Sequence, residues 1–492
     1  MKGLKSTLVA LLLLFLFSVT FYQIEVKAQP KTIVVPDNYS SIQEAIDQAS
    51  QGDTVFVKSG TYNGSVTINK SISLIGENKE KTTIIGDWEL NGTTILVQHD
   101  TVTISELTLE SVGNAVSGRG VHLLHVRYCK VSNCNFATGW IGVWLYGASE
   151  NKIENNYIDG TGNIPFSSGI NLQGSHNNTI TGNDIAEYDY GLAIILNKSI
   201  GNIVTENPIL NCYNGIWVHS SYNNSIIGNN VTINDDIFVR VNENVMQGSC
   251  GLRLFSSSNN VIAGNNISDV PNGIRIKSAS HFNQVENNTL TNNIYWGLAL
   301  TDDANNNTLV GNNLLHNING LEVGFCSNNT IKNNCITANH DYGIYLYNAS
   351  TNKITANNIT DNQVGAYFTN SSNNIVYHNN FLNNPKHVSV ITSSGELSAL
   401  INAFDNGFPS GGNYWDDYTG TDSNNDGIGD TPYIVSKHGD NTDNYPIIET
   451  INIETIPEFP SWIILPLFLI TTLIGIFYRK HMNKLRIKFL PI

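Results

Sequence analysis

Methionine occurs only three times in this 492-residue chain, and charged residues make up only 14% of it. So little charge, beside 41% apolar residues, argues against an acidic disordered coil. Long apolar runs are missing between the two ends, which argues against a multi-span membrane protein. Cys129, Cys134, Cys212, Cys250, Cys326 and Cys335 include no Cys-x-x-Cys pair. Zinc ribbons, haem attachment and thioredoxin chemistry therefore lack their ligand spacing. In an exported chain these residues form either one or two disulfides or a set of buried thiols.

Both ends read as targeting segments. Lys2 and Lys5 precede an apolar run over residues 8–21, and Val26-Lys27-Ala28 supplies small residues for cleavage after Ala28. Residues 462–478 carry no charge, have Trp462 and Tyr478 at their edges, and run into Arg479, Lys480, Lys484, Arg486 and Lys488. That pattern predicts a C-terminal transmembrane helix with a cytoplasmic tail. Pro457-Glu458-Phe459-Pro460 resembles the Pro-Glu-Phe sorting tails of archaeal surface proteins. The two ends carry +2 and +5, so the formal −15 of the whole chain leaves −22 on the body between them. Such an acidic body excludes non-specific nucleic-acid binding.

Internal periodicity dominates the rest. The phrase Asn-x-Ile-x-x-Asn-x-Ile, a short gap, then Gly-apolar-x-apolar recurs about every 22 residues. Its first apolar residue is Val131, Ile153, Ile180, Val204, Ile226 and Ile262, then Val285, Leu309, Ile331, Ile354 and Val376. Short alternating bursts predict strands, with Asn or Gly turns between them. The fold class predicted is all-β: a right-handed parallel β-helix of three-strand coils. Asn183, Asn207, Asn229, Asn265, Asn288, Asn312, Asn334 and Asn357 hold one place in each coil, where asparagine tolerates left-handed bends and can stack its amides. The Asn-x-Ser/Thr sequons, such as Asn266, Asn348 and Asn358, arise largely from this repeat.

Residues 40–49 predict an amphipathic helix with Ile42, Ala45, Ile46 and Ala49 on one face, suited to cap a solenoid's open end. This helix, with Gly52-Asp53-Thr54-Val55, Gly60-Thr61-Tyr62 and Lys70-Ser71-Ile72, resembles the opening of pectin-lyase-like β-helix proteins. The coils resemble the carbohydrate-binding and sugar hydrolase repeats of the periplasmic copper-binding NosD family. Gly411-Gly412-Asn413-Tyr414-Trp415-Asp416-Asp417-Tyr418 resembles a tail segment common in archaeal members. The chain thus divides into a signal peptide (1–28), cap and first strands (29–76), repeats (77–400), an Asp/Gly-rich tail segment (401–448), a linker (449–460), an anchor (461–480) and a cytoplasmic tail (481–492).

In the Gly-apolar-x-apolar strand the x residues face outward. One outward row is read as Trp144, Asn171, Ala193 and Trp217, then Arg253, Arg275, Ala299, Glu322, Tyr345 and Tyr367. The next is read as Tyr146, Gln173, Ile195 and His219, then Phe255, Lys277 and Thr301. This gathers Trp217, His219, Arg253, Phe255, Arg275 and Lys277, flanked by Trp144 and Tyr345, as a substrate-binding face. Aromatic rings stack on sugars and arginines grip carboxylates, so an extracellular anionic polysaccharide is the expected partner. Insertions at 159–168 and 235–249 are expected to wall the same face. If turnover occurs, the resemblance implies a lyase, epimerase or glycoside hydrolase, with Arg253, Arg275 or Lys277 as proton acceptor. No clustered Asp triad is present, and Asn339-His340-Asp341 only partly resembles an alginate-epimerase motif.

Asp422, Asn424, Asp426, Ile428 (through its carbonyl) and Asp430 space oxygens as a calcium loop does, although the closing bidentate Glu is absent. Copper is implied only by the family resemblance, and there is no His-x-His or Met-x-x-Met motif. The expected function is a membrane-anchored surface β-helix that binds, and if catalytic processes, anionic glycan. The alternatives are a surface adhesin without turnover and a maturation factor for a metalloenzyme.

Overall fold

The computed structural model describes residues 29–453 apart from 112–117, 161–165, 234–247, 392–399 and 437–440. The expected signal peptide, the expected anchor, half of the first insertion and most of the second lie outside the described residues. Among the described residues no helix is long and apolar enough to cross a membrane.

The chain winds into a parallel β-solenoid. One ladder stacks 15 strands, from Thr32–Val35 to Ile375–Tyr377. From residue 103 to residue 391 a ladder of three-residue strands and a ladder of six-residue strands complete the coils. Those two merge where Asp184–Asn197 and Pro208–His219 run through the corner as single strands. The repeat anchors pair in sequence order, Val131 with Ile153, Ile153 with Ile180, and onward to Ile354 with Val376. All are at most 2% exposed, so the alternation in sequence is an inward aliphatic stack.

The expected asparagine ladder is present, and two more accompany it. Asn207 Nδ2 donates to Asn229 Oδ1 at 2.9 Å, Asn229 to Asn265 at 3.0 Å and Asn265 to Asn288 at 2.9 Å. A second column runs through Asn178, Asn202, Asn224 and Asn260, and a third through Asn293, Asn317, Asn339 and Asn362. The ladder residues are not the ones that bend. The preceding residue takes the left-handed backbone, as at Asn155, Asn177, Asn223, Asn287 and Asn333. Bending and stacking are thus divided between neighbours, because a side chain pointing into the core cannot also sit at an exposed left-handed corner.

The repeat glycine is likewise not a turn residue. It opens the six-residue strand, where coils approach so closely that a Cβ on Gly142 would stand 2.6 Å from the Gly169 carbonyl. Helix α1 (Ile42–Gln48) starts at Ser41, whose Oγ accepts the Glu44 amide at 3.1 Å. It buries Ile42, Ala45 and Ile46 against the first strands. At the other end Tyr414–Trp415 pairs with Asn380 and Phe381, and Asn379 donates to Asn413 at 2.9 Å, so the tail segment continues the ladders. The Trp415 ring lies between Phe381 and Tyr433, at centroid distances of 4.5 and 4.4 Å. Gly412 is required there because a Cβ would collide with the Asp443 carboxylate, which accepts from Asn413 N and Trp415 Nε1.

Candidate functional site

The outward positions of the six-residue strands form two parallel rows. In the first, Trp217 pairs with Arg253 and Arg253 with Arg275; in the second, His219 pairs with Phe255 and Phe255 with Lys277. Six of the predicted residues therefore share three consecutive coils. Trp144 and Tyr345 lie three coils to either side, about 14 Å away at the usual strand spacing. One coil reads differently from expectation. Asn171 pairs with Ile195, not Ala193, and Gln173 pairs with Asn197. Ala193 is buried, because an irregularity between Tyr188 and Leu192 shifts the register of this long strand.

The central cluster is cationic and aromatic together. The Arg253 guanidinium lies 5.8 Å from the Trp217 ring centroid, and His219 packs 5.4 Å from Phe255. His219 Nδ1 sits 3.2 Å from Asn197 Oδ1. Burial, with Lys198 and Arg253 nearby, holds its imidazole below the usual histidine range. Lys277 pairs with Asp302 at 3.3 Å. Trp144 Nε1, Trp217 Nε1, Arg253 Nε and Arg275 Nε are all buried without a hydrogen-bond partner among the described residues. Glu322 closes the cationic stretch. Burial raises its carboxyl, Asp302 adds to that, and Arg275 and Lys277 oppose it.

Two groups escaped the sequence reading. Trp144 is contacted from the preceding coil, with His122 stacked on it at 4.4 Å and the Arg119 guanidinium 4.6 Å from its centroid. Burial, with Arg119 nearby, holds the His122 imidazole down to about 4. Tyr345 belongs to a terrace with Trp296 at 5.8 Å, Tyr342 at 5.4 Å and Tyr367 at 5.6 Å. The available signal was an aromatic residue immediately before the repeat glycine, Trp296 before Gly297 and Tyr342 before Gly343. A separate hollow of about 400 Å³, lined by Lys332, Lys353, Tyr377 and His378 among others, lies away from these rows. A polymer lies along an open row of side chains rather than in one hollow, so the registered rows are the stronger candidate.

The acidic loop is compact. Asp422 Oδ2 accepts the Gly427 amide at 2.9 Å, Asn424 donates to Asp426 at 3.0 Å, and Asp426 Oδ1 accepts the Ile428 amide at 2.9 Å. Asp430 accepts from the Ser423 hydroxyl at 2.7 Å, which holds its carboxyl below the usual range. Asn339 and His340 are set apart, Asn339 inside the third ladder and His340 exposed beside Asp341. All six cysteines are free thiols.

The sequence profile of a family described as "Periplasmic copper-binding protein (NosD)" matches residues 46–247 and 232–420. A "Cell surface glycoprotein" of Methanothermus fervidus is 28% identical over 265 residues, which is 54% of this chain and 39% of that protein. The match thus spans well under half the length of that relative. Among solved structures, the catalytic domain of a GH87 alpha-1,3-glucanase in complex with tetrasaccharides aligns with a TM-score of 0.47 at 15% identity, over 79% of this chain and 70% of that one. The A-module of the Azotobacter vinelandii mannuronan C-5 epimerase AlgE6 aligns with a TM-score of 0.40 at 13% identity, over 74% and 92%.

Copper favours thiolates, thioethers and paired imidazoles. Burial pushes the Cys129 and Cys250 thiols up to about 11 and those of Cys134, Cys212 and Cys326 up to about 12. Among the described residues, the one group of three metal-capable side chains has a single imidazole and no sulfur. The described residues do not fit a soft-donor copper site.

Proposed function

The chain belongs to the NosD family, and we propose that it is a surface β-helix protein that binds anionic polysaccharide along its two outward rows. The observation that carries this reading is the registered Trp217–Arg253–Arg275 row beside His219–Phe255–Lys277. Its two arginines and one lysine stand beside the rings of Trp217 and Phe255 on one outward face, which suits an acceptor-rich ligand. Aromatic rings and guanidinium groups in one row suit a polymer that alternates apolar sugar faces with carboxylates. A uronate-bearing glycan meets both demands. The name of the Methanothermus relative supports the surface location.

In this reading helix α1 closes the N-terminal end of the solenoid, and residues 461–480 anchor the body to the membrane. The Asp422–Asp430 loop takes Ca²⁺ in the same reading, with its carboxylates exchanging amide partners for the ion.

The test is glycan-array binding by the full chain, wild type against Arg253→Ala/Arg275→Ala, with calcium and with chelator. The expected result is uronate binding that falls at least about 100-fold in the double variant, because each arginine loses a charge-assisted hydrogen bond. Uronate binding unchanged by the double substitution overturns the assignment of the site. An absence of glycan binding overturns the function and favours a non-binding scaffold. Unsaturated products from bound uronate would add lyase turnover to recognition.

A further inference from the structure

The last coil gathers three side chains that the polysaccharide rows do not use. His387 stands on the strand Lys386–Ile391, and Asp416 and Asp417 follow the strand Tyr414–Trp415. His387 Nε2 lies 2.8 Å from Asp416 Oδ1 and 3.3 Å from Asp417 Oδ1. The second oxygen of each carboxylate is held from outside the group. Asp416 Oδ2 accepts the Asn383 amide at 2.5 Å, and Asp417 Oδ2 accepts the Tyr433 hydroxyl at 3.2 Å. Both Oδ1 atoms are thereby turned onto one nitrogen by partners that have no need of it.

The histidine side chain is only 6% exposed and packs against Phe381 and Trp415, while Asp417 is 59% exposed. The group is therefore fixed on its inner side and open to water on its outer side. An imidazole Nε2 carries at most one proton, so it donates fully to only one of the two oxygens facing it. His387 Nδ1 is buried without a hydrogen-bond partner among the described residues. Two carboxylate oxygens thus face one ring nitrogen. Neighbouring ligands in a zinc-type shell, at about 2.1 Å from the ion, stand roughly 3.0–3.4 Å apart. The two nitrogen–oxygen separations, 2.8 and 3.3 Å, are already close to that spacing, and all three donor atoms lie within 4.8 Å of one another.

We propose that His387 Nε2, Asp416 Oδ1 and Asp417 Oδ1 form a site for a divalent first-row cation of the zinc or manganese class, with water completing the shell. One nitrogen and two carboxylate oxygens suit such ions and not a soft-donor copper centre. The ion ties the final six-residue strand to the Trp415 segment and so staples the closing coil. This site differs from the Asp422–Asp430 loop in donor chemistry and in place. Metal-bound histidines normally donate their other N–H to a partner, and the unpartnered Nδ1 predicts an affinity about ten- to a hundredfold below that of a fully supported site.

The experiment titrates the chelator-treated full chain with Zn²⁺ and, separately, with Ca²⁺, by calorimetry and by Trp fluorescence. The expected result is one Zn²⁺ per chain with a change in Trp emission. Asp417→Asn, which keeps the side chain's shape and exposed position, is expected to weaken Zn²⁺ at least about tenfold. His387→Gln is expected to do the same, and Asp422→Asn to leave Zn²⁺ binding unchanged. An absence of Zn²⁺ binding, or binding equal in wild type and Asp417→Asn, overturns the proposal and leaves an ordinary histidine–aspartate ion pair.

Discussion

The coils over residues 217–277 and those over 342–367 present the same outward positions on the same strand, yet one is cationic and the other is a neutral tyrosine terrace. Arg253 pairs with Arg275 as Tyr345 pairs with Tyr367, in the same parallel register. Beneath both, the inward residues are buried and aliphatic: Leu252 and Ile274 in one stretch, Ile344 and Ala366 in the other. Inward positions are held by the aliphatic stack and the amide ladders, whereas outward side chains touch little that the fold needs. A solenoid can therefore vary its binding surface coil by coil without disturbing its backbone.

Breaking what the two stretches share should have the largest effect. Asn229→Ala removes the buried amide that links Asn207 to Asn265 and leaves the buried Asn207 backbone N–H without its acceptor. It should destabilise the solenoid by about 2–3 kcal/mol in denaturant unfolding, since each buried polar group left unpaired costs about 1–3 kcal/mol. A loss confined to one coil in hydrogen exchange would show that the ladder is not a cooperative unit.

Next comes the contrast itself. Tyr345→Ala removes a ring from the terrace and should weaken glycan binding about tenfold. That loss should be the same at low and high salt. Arg275→Ala should instead flatten the salt dependence, because only the cationic stretch is screened by ions. Binding measured across ionic strength separates the two, and a common salt response would merge the stretches into one site.

The smallest effect concerns Trp144. Its stacked partner His122 is held down to about 4 from an ordinary 6.5 by burial, with Arg119 close by. Below pH 6.5 the unfolded chain takes up a proton that the folded ring resists, so the stabilisation is complete above 6.5 and is lost as pH falls toward 4. His122→Phe should flatten stability over that window by about 1–2 kcal/mol, the shift being discounted for partial contact with water. Thermal melts at stepped pH test this. An unchanged acid limb would assign the loss to other groups.

The repeat itself was legible because a strand's period of two and a coil of near-constant length write the inward stack directly into the sequence, as at Val131, Ile153 and Ile180. The six-residue cationic cluster was legible for the same reason. The register through Ala193 and Ile195 was not, because counting from the glycine cannot see the irregularity between Tyr188 and Leu192. The division of labour within Asn-Asn pairs was also hidden, since both residues are the same letter and only backbone angles tell the bent one from the stacked one.

By itself, then, the sequence determined a coiled array of short parallel strands, its inward stack, one of its three amide ladders and the row that places Trp217, Arg253 and Arg275 side by side. Local periodicity suffices for all of these, because each coil meets only its neighbours. Tertiary structure alone decided what depends on a side chain's direction and on distant partners: the terrace around Tyr345, the His122 and Arg119 contacts on Trp144, and the meeting of His387 with Asp416 and Asp417. Those three residues converge because the tail pairs Tyr414 with Asn380 and carries Trp415 over Phe381. No repeat period encodes that contact, because it is made once, where the solenoid closes.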